Sequence, residues 1–189
     1  MAGCLTVLGG GIAGTVMVLK AREFLIEGMD PIKARQILNE IIPCSAPMGY
    51  TPFFGQTLKG MRMAWIARPG EIERAAQTGE NPTMIMMISM PEKQPKDSLK
   101  SSMQAMPTGM GVATVVKTET ETLTIRGQPV EAERSIVIDM KGKRVLQYAI
   151  LLEQEPTPTN PAGQELITIS GGEATFDRRA MDAFLKSIR

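Results

Sequence analysis

Hydrophobic positions along this chain follow different periods, and the changes between them mark its elements. From Cys4 to Leu19 no residue is charged, and Gly3 lengthens the run by one. A helix of that length falls just short of a hydrocarbon core of about 30 Å, and Lys20 and Arg22 extend it by snorkelling. The run predicts a transmembrane anchor over residues 1–24, in contact with the bilayer through residues 3–22. Glu23 to Ile42 predicts a helix that breaks at Gly28 and restarts at Asp30-Pro31, an N-cap followed by proline at the first helical position. Its apolar stripe reads Ile32, Ile37, Leu38, Ile41 and Ile42, and Pro43 ends it. Residues 25–46 are therefore expected to form a juxtamembrane amphipathic helix. "CSAPMGYTPFFG" (Cys44–Gly55) then reads as a punctuated connection into a globular unit at 47–189.

Beyond that point the period falls to two. "KGMRMAWIAR" (Lys59–Arg68) alternates, and "IERAAQTGEN" reads as a loop with one helical turn. "PTMIMMISMP" (Pro82–Pro91) is a strand too apolar to face water on both sides. Asp97 or Ser98 caps a short helix that runs to Met106. "ATVVKTETETLTIRG" (Ala113–Gly127), "VEAERSIVIDM" and "KRVLQYAILLE" form successive antiparallel strands, with turns at Gln128-Pro129 and Lys141-Gly142. Glu165–Ser170 is a further strand, and Thr175 is expected to cap a closing helix with Phe176, Met181, Phe184, Leu185 and Ile188 on one face. The order predicts an α+β fold: an antiparallel β-sheet sandwiched by helices and preceded by an N-terminal transmembrane helix.

The strand pair around "LTIRGQPVEAERS", the hairpin "IVIDMKGKRVLQYAILL" and the ending "TFDRRAMDAFLKSI" resemble the PsbP-like α/β/α sandwich and bacterial domains of unknown function with a membrane-anchored N-terminus. The likeness runs from about Pro47 to Ile188 in element order and rests on patterning. It implies a small, non-catalytic module that binds a partner or assists assembly, and it carries no site residue with it.

Composition narrows the chemistry. Among 189 residues, 21 Lys and Arg stand against 20 Asp and Glu, so the basic footprint that nucleic acid requires is missing. There is no histidine, which removes the commonest general base and metal ligand. Two cysteines, Cys4 and Cys44, cannot build a zinc site or a disulfide framework. No cofactor is expected.

Four local patterns invite a sharper reading. Gly9, Gly11 and Gly14 in "LTVLGGGIAG" satisfy G-x-G-x-x-G, and Asp30 lies at a tolerable distance, so the rival to an anchor is a flavin or nicotinamide nucleotide enzyme. No turn separates a helix over Ile12–Arg22 from a following strand, which favours the anchor. Within that anchor, Gly10 and Gly14 form the small-x-x-x-small pair that lets two membrane helices approach. Met84, Met86 and Met90 share one strand face and could offer thioethers to Cu(I), with Met61 and Met63 nearby and Met87 pointing away; core packing is the simpler role. Glu119 with Glu121, and Glu131 with Glu133, pair on strand faces as acid–base work would need, although a solvated face explains them as well. Gly171-Gly172 before the last helix could cradle an anion, and Arg178 and Arg179 in its first turn could meet an acidic partner or a lipid headgroup.

Two features bear on which side of the membrane holds the domain. Lys20, Arg22, Lys33 and Arg35 follow the apolar run and favour the cytoplasm. The resemblance and the placement of that run favour export, and the expected location is extracytoplasmic.

Overall fold

The computed structural model describes residues 27–95, 114–158 and 160–189. Helix α1 (Pro31–Ile41) starts as the sequence predicts: Asp30 is its N-cap, its side chain accepts from the Ile32 and Lys33 amides, and Pro31 takes the first turn. The buried stripe is Ala34, Ile37, Leu38 and Ile41, spaced i, i+3, i+4 and i+7. Ile32 does not belong to it and stands 80% exposed, because it lies roughly half a turn away from Ala34.

Strands β1 (Thr51–Leu58), β2 (Met61–Ala67) and β3 (Met84–Ser89) form a meander, with helix α2 (Glu71–Thr78) between the last two. Strands β4 (Thr114–Ile125), β5 (Gln128–Ile138), β6 (Arg144–Glu153) and β7 (Gln164–Gly172) form a second, and helix α3 (Arg178–Ser187) closes the chain. The two meanders make one antiparallel seven-stranded sheet in the order β1-β2-β3-β7-β6-β5-β4. The fold is α+β, as expected.

One core binds sheet and helices together. Ile37, Leu38, Ile41 and Ile42 from the α1 region meet Met181, Phe184, Leu185 and Ile188 from the α3 region over Ile66, Ile85, Met87, Tyr148, Ile150, Ile167 and Ile169. Both helices thus lie on the same face of the sheet. The helix expected to stand apart as a juxtamembrane element belongs to the core of the domain. A sandwich needs a layer on the other face as well; the helix expected between Asp97 and Met106, like the anchor at 1–24, lies outside the described residues. No helix among those described is long and apolar enough to cross a membrane.

Three local expectations are corrected. The segment read as a punctuated connection contains β1, whose Pro52 is tolerated because the strand is at the sheet edge and its register shifts between Pro52 and Phe54. Gly55 is not a turn there; it sits beneath α1 where a Cβ would run into the Ala34 backbone. The supposed loop Ile72–Asn81 holds the two-turn helix α2, started after Gly70 and stopped at Gly79, both with positive φ. The final helix is capped by Asp177, not Thr175.

Because Gly55 sets the spacing between α1 and the sheet, Gly55→Ala is expected to destabilise the domain by about 1–3 kcal/mol, the usual range for overpacking. Thr57→Ala, at an exposed position on the same strand, should stay within about 0.5 kcal/mol. Urea unfolding of both variants checks this.

Candidate functional site

The side of the sheet opposite α1 and α3 carries the methionines. Alternation along β2 and β3 sends Ala64, Ile66, Ile85 and Met87 into the main core and leaves Met61, Met63, Trp65, Met84 and Met86 on the other face. Trp65 stands opposite Met86, and Met63 opposite Ile88. Ile88, Ala149 and Leu166 form a second buried cluster against which Met61, Met63, Met86 and Met90 pack, partly buried. Toward the β1 edge the buried Phe54 and the half-buried Phe53 continue this packing, with ring centroids 4.5 and 6.0 Å from Trp65. Met84, Met86 and Met90 thus share one face, as their strand spacing predicts, and Met87 turns inward to the main core. Met86 and Met90 use their thioethers to pack against aliphatic side chains, while Met84, opposite Ala67, stands outside that cluster. Among the described residues no group of three or more His, Cys, Asp or Glu is placed to hold a metal ion.

The paired carboxylates have a different use. Glu119 and Glu121 do share a face of β4, the one toward α3. Glu121 accepts from Arg178 (2.6 Å) and from the Tyr148 hydroxyl (3.0 Å), and Arg178 also donates to that hydroxyl (2.6 Å) and to Asp182 (3.1 Å). The Arg178 guanidinium lies 5.2 Å from the Tyr148 ring centre. Glu119 pairs with Lys117 and with Arg134, the latter at 2.8 Å. The Arg178 hydrogen bond holds Glu121 below the usual carboxylate range, and Lys117 does the same for Glu119. Acid–base catalysis needs two carboxyls driven apart; these are both held ionised. Glu131 and Glu133 stand opposite Thr122 and Thr120, on the other face of the β4–β5 ribbon.

The two sites expected near α3 are also accounted for by packing. Gly171 and Gly172 end β7, opposite Leu146 and Val145, and the Gly172 amide is engaged by the Asn81 carbonyl at 2.8 Å. A Cβ on Gly171 would lie 3.0 Å from the Thr83 Cα, so close approach of two backbones requires glycine there. Arg178 is committed to Glu121, Tyr148 and Asp182, which offsets its unfavourable place at the helix N-terminus. Arg179 remains exposed.

Sequence reasoning missed the role of Asp177. One carboxylate oxygen caps α3 through the Ala180 amide (2.9 Å); the other accepts from the Tyr50 hydroxyl (3.3 Å) and from Arg68. Arg68 also lies over the Tyr50 ring, 4.9 Å from its centre. Burial, and then the Asp177 charge, push the Tyr50 hydroxyl up to about 12. Cys44 is a free, half-buried thiol pushed up to about 12 by burial and then by Glu165, which is the opposite of what a nucleophile needs.

Gly9, Gly10, Gly11 and Gly14 lie outside the described residues. The fold around a dinucleotide fingerprint is a parallel sheet with helical crossovers, whereas all six strand pairings among the described residues are antiparallel. No protein-family model matches the chain, and no curated protein matches it in sequence.

Glu121 gives the Arg178 network a definite pH response. Its folded-state value is lowered, so the stability it adds is present above the ordinary carboxyl range and is lost as pH falls through the depressed value. Arg178→Met should cost roughly 1 kcal/mol near pH 7, discounted for solvent screening. The gap between variant and wild type should narrow as the solution is acidified below the carboxylate range. Urea titrations at several pH values measure it.

Proposed function

We propose that this chain is a membrane-tethered, non-catalytic binding or assembly module, as its PsbP-like patterning suggests. Residues 3–22 form the tether, and the Gly10/Gly14 pair lets two tethers associate. The domain lies outside the cytoplasm.

The methionine and aromatic surface on β1–β3 carries this reading. Thioethers adapt their shape to an apolar partner without fixed geometry, which suits recognition rather than chemistry. Beside this surface, Gly28 packs against the buried Phe54 ring, with no room for a Cβ between them. The partner is a protein with an apolar face held near the same bilayer. The polar network around Arg178 and Asp177 supports the same conclusion, since its carboxylates brace α3 against β4, β6 and the Tyr50–Arg68 pair.

Carbonate extraction of membranes tests the tether. The full-length chain is expected in the membrane pellet, and a chain lacking residues 1–24 should be soluble and unfold cooperatively. Release of the full-length chain into the supernatant would refute the tether. Protease added to intact spheroplasts should digest the domain without detergent; protection until detergent is added places it in the cytoplasm.

A further inference from the structure

Glu165 is the first residue of β7 to face the core, in phase with Ile167 and Ile169, and it is fully buried. Its Oε1 accepts from Gln154 (2.7 Å) and from the Asn160 side-chain amide (3.2 Å). Among the described residues its Oε2 has no partner, and neither has the Oδ1 of Asn160, which is itself 1% exposed. Two acceptor oxygens are thus orphaned on two side chains that are already joined by one hydrogen bond. An amide and a carboxyl group present their polar atoms at nearly equal spacing, so a proton on one oxygen would close a second bond beside the first. One proton satisfies both orphans.

We propose that Glu165 is protonated in the native fold and donates from Oε2 to Asn160 Oδ1, forming an acid–amide latch that fastens the β6–β7 connection to the start of β7. Besides the latch, the connection is held by backbone bonds and by the Thr157 hydroxyl, which accepts from the Asn160 amide at 3.0 Å. Gln154 N donates to the Gly163 carbonyl (2.9 Å), Thr157 and Asn160 exchange a pair of bonds at 3.0 Å, and Gly163 N donates to the Asn160 carbonyl (3.1 Å). Asn160 is the polar side chain that carries this loop into the core, with Ala162 buried close by in sequence.

The charged and titratable groups around the latch agree with a neutral acid. Arg126, in the β4–β5 turn, is the cation that favours the carboxylate, yet its guanidinium is occupied by the Arg189 carbonyl (3.0 Å) and Gln154 (3.2 Å). Cys44, from the connection after α1, faces Glu165 as a thiol. Ser89 stands directly opposite on β3 with a buried, unpartnered hydroxyl, and beyond it Arg62 is paired with Glu40. Glu153 and Lys93 form their own pair at 3.7 Å. Burial is the dominant influence and pushes the Glu165 carboxyl up to about 7, against Arg126 and the two amide hydrogen bonds. A raised value means that the stabilisation is complete below the ordinary carboxyl range and is lost as pH rises through about 7. Loss of the proton releases the Asn160 Oδ1 and through Asn160 loosens Thr157, which with Gln154, Glu40, Arg126 and Arg189 lines an open cleft of about 730 Å³.

Carbon-13 NMR of the full chain in detergent micelles, titrated from pH 5 to 8.5, reads the Glu165 carboxyl directly. The expected midpoint lies near neutrality. Hydrogen exchange at Thr157, Asn160 and Gly163, corrected for intrinsic base catalysis, should lose about tenfold protection over the same step. Glu165→Gln, whose amide can donate to Asn160 Oδ1 at every pH, should abolish that step; the wild-type titration needs no variant. A carboxyl ionised throughout the range overturns the latch, as does an exchange step that survives in Glu165→Gln. So does a response that follows sodium or potassium instead of pH, since a cation would then satisfy the two oxygens.

Discussion

The pairing of β7 on both its edges holds this domain together. β7 reaches β3 on one side through Ser170, Ile169, Thr168, Ile167, Leu166 and Glu165, and β6 on the other along its whole length. Without it, β1-β2-β3 and β4-β5-β6 are two separate ribbons, each with an unpaired edge that would invite association. Ile167 and Ile169 are fully buried beneath the two helices, so the same strand that joins the ribbons also supplies the centre of the core. The β3–β7 ladder closes a long loop of chain, an entropy cost that the burial of Ile85, Met87, Ile167 and Ile169 together must offset. Glu165, at the start of this strand, is therefore a buried carboxyl at the position the fold can least do without.

The placement of α1 and α3 follows from that sheet. Both set their apolar stripes on the face that β7 centres, and both are capped by an aspartate, Asp30 and Asp177. Asp177 does more than cap, since Tyr50 and Arg68 from the β1–β2 side converge on it while Arg178 reaches Tyr148 and Glu121 on the β4–β6 side. Two adjacent residues at one helix terminus thus fasten the closing helix to both ribbons. Arg68, Arg178, Glu121 and Asp177 are spent on this bracing, on the face opposite the one that carries Trp65 and the partly buried methionines.

How far the sequence revealed this depended on whether a signal was local. The β-branched alternation of β4, β5 and β6 and the apolar run of β3 were legible because each strand carries its own period. β1 was hidden because Pro52 and Gly55 look like punctuation; an edge position excuses the proline, and the approach of Ala34 demands the glycine, and both reasons are tertiary. Thr175 and Asp177 are equally good caps by residue type, and Tyr50 and Arg68, more than a hundred residues away, accompany the choice. Arg178 looked free for an anion until Glu121 was folded beside it. Glu165 carried a signal that could have been used: it stands in phase with Ile167 and Ile169, where an apolar residue belongs.

The role of β7 is most directly tested by native-state hydrogen exchange in an Ile167→Ala variant, a change expected to cost about 2–5 kcal/mol in a buried site. If β7 makes one cooperative unit of the two ribbons, the amides of β2 and β3 and those of β5 and β6 lose the same free energy of protection. Wild-type protection retained in either ribbon would contradict this account and would make the domain two structures joined at a seam.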